Sequence, residues 1–299
     1  MAAKPMTPLR TLGDFTKNLL IRGLLGAAKL LPYRWRVPFV GALVSKVLAP
    51  LAGWRGRIRE NLSHVLPELP EREVKRLCRS VPDNAGRTLI EIYSGEAFKS
   101  RAAKAPISGP GLAALEAARE AGRPVILVTG HMGNYDVVRA ALIARGHNMG
   151  ALYRRMRNPY FNAHYVRAIS AIGEPMFEQG RTGMMQLVKH LRKGGVVGIL
   201  TDLHFGAGRE LMFFGKPAFT SLITAELALK YDAELIPVYA IRKENGLDFE
   251  IVAQAPVARS DPETMTQAVN DGLERLVRTH PEQWFWIHRR WKSPGKPTA

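Results

Sequence analysis

Residues 125–136 constrain this chain more than any other stretch. Val125-Ile126-Leu127-Val128-Thr129, enclosed by Pro124 and Gly130, fits a strand buried on both faces of a parallel sheet. A turn with glycines at 130 and 133 follows, where the backbone can reach positive φ or approach a neighbour closely. Asn134 can cap a helix, and Asp136 falls in its first turn, where negative charge is favoured. Strand, tight turn and helix in that order form the repeating unit of an α/β fold, whose ligands gather at the carboxyl ends of strands. His131 stands at that end, with Asp136 five positions later. An imidazole whose far nitrogen is held by a carboxylate can take a proton from an alcohol. Beside it no serine or cysteine nucleophile is evident, so the alcohol is expected to be the substrate's. On spacing alone, a turn histidine followed by a dipole-complementing acid is the commoner outcome. The strand–Gly–His–x–Gly–Asn context is what favours a site.

Helical and strand patterns alternate after residue 110, with strands expected at 148–153, 196–200, 235–241 and 249–253 and helices at 137–145, 160–172, 182–193, 221–231 and 262–279. The expected fold is α/β, a mostly parallel central sheet flanked by helices, occupying residues 56–299. Residues 1–55 are expected to form basic amphipathic helices that associate with a membrane. The chain carries 43 Lys/Arg against 26 Asp/Glu, a net +17, which directs it to anionic partners. Residues 1–60 hold eleven of those bases and two acids, so more than half of the excess lies there, among many leucines and valines. Arg22 and Lys29 interrupt one apolar run, and Lys46 another. Neither reaches the ~18 uninterrupted apolar residues of a spanning helix. Helices lying in an anionic surface fit better, with ordinary core-packed helices as the alternative. No cleavable signal peptide is apparent. The single cysteine, Cys78, excludes a disulfide framework and fits a reducing compartment.

Other groups able to carry chemistry lie on the same expected rim. Arg154, Arg155 and Arg157 follow a strand, as a phosphate clamp or as a solvated basic loop. Asp202 follows the 196–200 strand, as a substrate-orienting acid or a turn former. Residues 203–217, rich in glycine and aromatics, read as a long loop able to line an apolar groove or simply to pack. His131, Asp136, Asp202 and His204 are metal-ligand types, but no tight ligand spacing accompanies them, and no metal is expected. The aromatic and basic segment 284–292 is expected to close the core with a basic rim.

Several blocks in order carry a resemblance. Asn84-Ala85-Gly86-Arg87 with Glu91 is followed by residues 130–136, then Tyr153-Arg154 with Asn158-Pro159. Arg181, Gly194-Gly195-Val196-Val197, Asp202 and Phe213-Phe214-Gly215 with Ala218 come next, then residues 281–292. Together they resemble the lipid A biosynthesis acyltransferases of lauroyl and myristoyl type, within the His-x4-Asp/Glu lysophospholipid acyltransferase superfamily. The likeness spans residues 57–292. It departs at Asp136, where many lipid A members carry glutamate, and at Leu203-His204, where glutamine commonly follows the aspartate.

The resemblance implies transfer of a fatty acyl chain from a thioester on acyl carrier protein (or CoA) to a hydroxyl of a lipid A precursor, an anionic glycolipid. His131 is the implied general base, with Asp136 as its support. Gly133, Asn134, Arg154, Arg181 and Asp202 are the implied substrate-binding residues. No cofactor and no nucleic-acid partner are implied, and the place of action is the cytoplasmic face of a bacterial inner membrane. A glycerolipid or ornithine-lipid O-acyltransferase, or a non-enzymatic basic protein binding membrane or nucleic acid, remains the alternative.

Overall fold

The computed structural model describes residues 8–292; the two ends of the expected 1–55 and 56–299 segments lie outside these described residues. The first third is helical: α1 (Pro8–Lys29), α2 (Tyr33–Leu43), a π-helical turn (Val44–Leu48), α3 (Ala49–Leu51), α4 (Trp54–Val65), α5 (Glu71–Ile92) and α6 (Glu96–Ala102). Alternation then begins with β1 (Ile107–Ser108), α7 (Gly111–Glu120), β2 (Val125–Thr129), α8 (Asp136–Ala144), β3 (Met149–Tyr153), α9 (Pro159–Ile172), β4 (Met176–Glu178), α10 (Arg181–Leu191) and β5 (Val196–Leu200). A hairpin of β6 (Arg209–Phe213) and β7 (Lys216–Thr220) precedes α11 (Ile223–Lys230), β8 (Glu234–Arg242), β9 (Phe249–Ala253) and α12 (Pro262–Thr279).

The seven-stranded sheet has the order β1-β9-β8-β2-β5-β3-β4, and only the β8–β9 pair is antiparallel. All five residues of β2 are buried, because helices cover both faces of the sheet. One face carries Leu127, Val138, Met149 and Ile169 in a core shared with Leu25, Val37 and Val40 of the N-terminal helices. The other packs Ile126, Val128 and Ile199 against Leu187, Leu227 and Val269. The α/β architecture is therefore as expected, and α1 and α2 pack onto this body. Local chemistry sets the helix starts. Asp261 accepts hydrogen bonds from the amides of Glu263 and Thr264, both at 3.0 Å, ahead of Pro262 at the first helical position. Asn158 caps α9 in the same way, ahead of Pro159.

Residues 203–217 are not a plain loop. The β6–β7 turn uses Phe214 and Gly215, both at positive φ (55° and 66°), as a tight hairpin turn demands. The hairpin lays Phe213 and Phe214 against Trp284, Trp286 and Trp291, so segment 284–292 closes this part of the core, as expected.

Candidate active site

The strand β2 lies between β8 and β5, and its pairing with β5 is parallel with Thr129 opposite Leu200. Two residues beyond each strand end, His131 and Asp202 are therefore level. The Asp202 carboxylate accepts from the His131 backbone N–H at 2.7 Å, stands 2.7 Å from Nδ1 with its other oxygen, and accepts from the Trp284 indole at 2.9 Å. Burial raises the Asp202 pKa, but His131 and the Trp284 N–H together outweigh it and hold the carboxyl at about 2. The ionised carboxylate accepts, so a neutral ring carries its proton on Nδ1 and leaves the Nε2 lone pair for substrate. Tyr135 meets the ring edge-on at 5.4 Å, and Phe285 lies 5.8 Å away. Nearby His288 accepts the backbone N–H of His204 on Nε2, and burial depresses its pKa to about 4, so it is uncharged near neutrality.

This corrects the expected pair. Asp136 is not the acid on His131. It opens α8, is 6% exposed, and accepts from Arg139 Nε at 3.0 Å and Nη2 at 2.6 Å. The reason is helical geometry: three residues on, Arg139 occupies the same face. Arg139 in turn donates to the carbonyls of Ile169 and Gly173, nailing α8 to the end of α9. Arg139 thus holds Asp136 through Oδ1, while Asp136 also borders the cavity beside His131.

Gly133 and Asn134, expected to bind substrate, line no part of the cavity beside His131. Gly133 sits at φ +53°, and a Cβ there would lie 2.0 Å from the Ala240 carbonyl, so only glycine lets the turn touch β8. Its carbonyl accepts from Asn84 Nδ2 and Thr88 Oγ, and its N–H donates to Gln283. Asn134, wholly buried, donates to Glu91, and Glu91 is paired with Arg242 through both carboxylate oxygens. Asn84 and Glu91 thus hold the histidine turn from below. Arg154 is exposed on the cavity rim; Arg181, the first residue of α10, is exposed and off the cavity. Asp202, expected to position substrate, is instead the acid on the histidine.

The cavity has a volume of about 770 Å³. From His131 it descends between the sheet and helices α8 and α9, past Leu127, Val138, Gly198 and Ile169 to Met149 and Met176. Met149 is level with Val125 through Val196, six residues before His131, a depth of about 20 Å at ~3.3 Å per residue. Arg154, His204 and Phe205, on the loops past the strand ends, and Arg209 at the start of β6 also line it. Such a slot accepts an extended apolar chain and presents its polar end to the imidazole. Sequence reasoning gave no part in the site to Arg139, Trp284 or Arg242. Only Arg139 left a local signal, its i,i+3 spacing from Asp136. Among the described residues, no group of three His, Cys, Asp or Glu is placed to hold a metal.

A profile of the bacterial lipid A biosynthesis acyltransferases matches residues 4–293. Among curated relatives, lipid A biosynthesis acyltransferase 2 of Shigella flexneri is 24% identical over 308 residues, covering 94% of each chain. The lipid A biosynthesis lauroyltransferase of Escherichia coli is 23% identical over 242 residues, covering 79% of this chain and 78% of its own. A phosphatidylinositol mannoside acyltransferase of Mycobacterium tuberculosis is 24% identical over 241 residues, covering 79% and 76%. With a profile match across nearly its whole length, the chain belongs to the bacterial lipid A biosynthesis acyltransferase family and is an O-acyltransferase.

Proposed function

We propose that this enzyme moves a fatty acyl chain from the thioester of acyl carrier protein, or of CoA, to a hydroxyl of a lipid A precursor. The observation that carries the reading is the His131–Asp202 pair at the polar end of an apolar slot. His131 Nε2 takes the proton of the acceptor hydroxyl as its oxygen attacks the thioester carbon. The C–S bond then breaks, and the imidazolium returns the proton to the departing thiolate. Asp202 fixes the ring and stabilises its charged form. Arg154, on the rim, faces the anionic groups of donor or acceptor.

The mycobacterial relative matches as well as the lipid A enzymes while carrying a name with a different acceptor. That favours a second acceptor class, a mannosylated or glycerol-based phospholipid, on the same chemistry. Assay of the purified protein with a lipid A precursor and with lysophospholipid separates the two.

The site of action in this reading is the cytoplasmic face of the inner membrane. Leu19, Leu20, Leu24, Leu30, Trp35 and Phe39 of the N-terminal helices are exposed, with Arg22, Lys29 and Arg34 beside them. An apolar face edged by cations suits an anionic bilayer surface. No single helix among the described residues is long and apolar enough to cross a membrane; the bent pair Tyr33–Leu51 and Trp54–Val65 passes by length and composition alone. Asn158 Nδ2 donates to the Asp14 carbonyl and Phe15 packs on Tyr160, so α1 is tied to the segment following Arg154 on the slot's rim. His131→Ala is expected to leave folding and vesicle binding intact and to lower kcat by about 10³-fold or more. Retention of near-full turnover contradicts the assignment.

A further inference from the structure

A second and larger concavity lies away from the slot. It is a groove of about 1140 Å³ between the π-helical turn after α2 and the first turns of α5. Lys46, Arg72, Lys75, Arg76 and Arg79 line it, with Glu73 and Asp83 as its acids. Both acids are already paired, Glu73 with Arg76 and Asp83 with Arg87. Lys75 shares Glu71 with Arg59. Lys46, Arg72 and Arg79 form no ion pair among the described residues. The same Lys75 and Arg79 border a smaller cleft with Arg55 and Arg59 on their other side. The positive charge of this region is therefore concentrated and largely uncompensated.

The groove's surroundings identify its ligand. Immediately after Lys46 the chain exposes Val47, Leu48 and Leu51, the last at 82%. Hydrocarbon and cations thus stand side by side. An acidic protein offers the charge alone; a leaflet of anionic phospholipid offers phosphate and hydrocarbon in adjoining layers. We infer that the groove between the π-helical turn and α5 binds the phosphodiester headgroup of an anionic phospholipid while Val47, Leu48 and Leu51 enter its acyl region. This rests on the proposed membrane reading and adds a headgroup site outside both the N-terminal helices and the catalytic slot. Five residues after Arg79, at ~1.5 Å each, Asn84 holds the Gly133 carbonyl of the histidine turn. A headgroup in the groove fixes the height of the active site above the bilayer through α5.

The test uses the full chain and sedimentation with vesicles of phosphatidylcholine alone or mixed with phosphatidylglycerol. One variant combines Lys46→Gln, Arg72→Gln and Arg79→Gln; a charge-matched control combines Lys104→Gln, Lys189→Gln and Lys193→Gln. Thermal melting checks that both fold. The groove variant is expected to bind phosphatidylglycerol vesicles about 100-fold more weakly, at roughly fivefold per basic residue, with phosphatidylcholine binding unchanged. The control is expected to change binding by less than tenfold. Equal losses in the two variants overturn the site in favour of a diffuse field. Unchanged vesicle binding with a raised KM for a carrier-protein thioester overturns it in favour of a protein partner. His131→Ala separates this from the catalytic proposal: it is expected to bind these vesicles as the wild type does, whatever its turnover.

Discussion

Two acid–base pairs flank one tight turn, and they differ in what surrounds them. His131–Asp202 joins the ends of two neighbouring strands. Its carboxylate is buried, but its imidazole is 23% exposed and borders the slot. Asp136–Arg139 lies within one helix turn, with side chains 7% and 2% exposed, and all its outward bonds go to backbone carbonyls and a methionine sulfur. A pair with one side open can exchange a proton with a substrate. The Asp136–Arg139 pair also borders the slot, but its acid is held by a guanidinium rather than an imidazole, so it presents no proton-accepting nitrogen there. Spacing in sequence pointed to a His131–Asp136 pair, whereas the hydrogen bonds join each of these two residues to a different partner.

The sharpest way to break this contrast is Asp202→Asn. It keeps the shape and removes the charge that supports the imidazolium, so kcat is expected to fall by about 10²–10⁴-fold. Steady-state kinetics read the loss. Arg139→Leu is next. It leaves Asp136 buried without its partner, at a cost of about 3–5 kcal/mol of stability. A lower Tm should accompany turnover within about tenfold of wild type at low temperature. Glu91→Gln tests the framework under the turn: it leaves Arg242 with an uncharged partner and weakens the hold on Asn134. A loss of about 2–3 kcal/mol is expected by denaturant titration, with kcat reduced more than KM is raised.

At neutral pH the smallest effect is acid sensitivity, which emerges only as the pH falls. His288 has its pKa lowered from the ordinary 6.5 to about 4 by burial. Its neutral form is favoured in the fold, so that stability is fully present above pH 6.5 and is lost as pH falls through about 4. The difference amounts to about 3 kcal/mol at ~1.36 kcal/mol per pH unit. His288→Gln, which can still accept the His204 N–H, is expected to flatten Tm against pH across that window.

Much of the fold was legible in the chain. The closed apolar run of β2 and the 3.6-residue periodicity of α12, expected at 262–279 and found at Pro262–Thr279, are local signals. So was the place of His131, since a strand end is visible in one segment. The β4 strand, three residues long, and the β6–β7 hairpin were not. Glycines at 206, 208 and 215 suggested a loop, and a Phe-Gly turn lacks the usual Asn-Gly mark. Asp202 was singled out by its position after β5, but its bond to His131 depends on β5 lying beside β2, a pairing made across 71 residues. Trp284, whose indole completes the carboxylate's shell, comes from farther still. Periodicity cannot encode such neighbours.

In the proposed mechanism Asp202, rather than Asp136, serves the histidine. Kinetics and melting of Asp202→Asn and Asp136→Asn, measured side by side, test it most directly. Asp202→Asn is expected to lose turnover by at least 10²-fold with Tm nearly kept, while Asp136→Asn loses Tm with kcat within about tenfold. The reverse pattern, turnover surviving in Asp202→Asn and abolished in a well-folded Asp136→Asn, would contradict it.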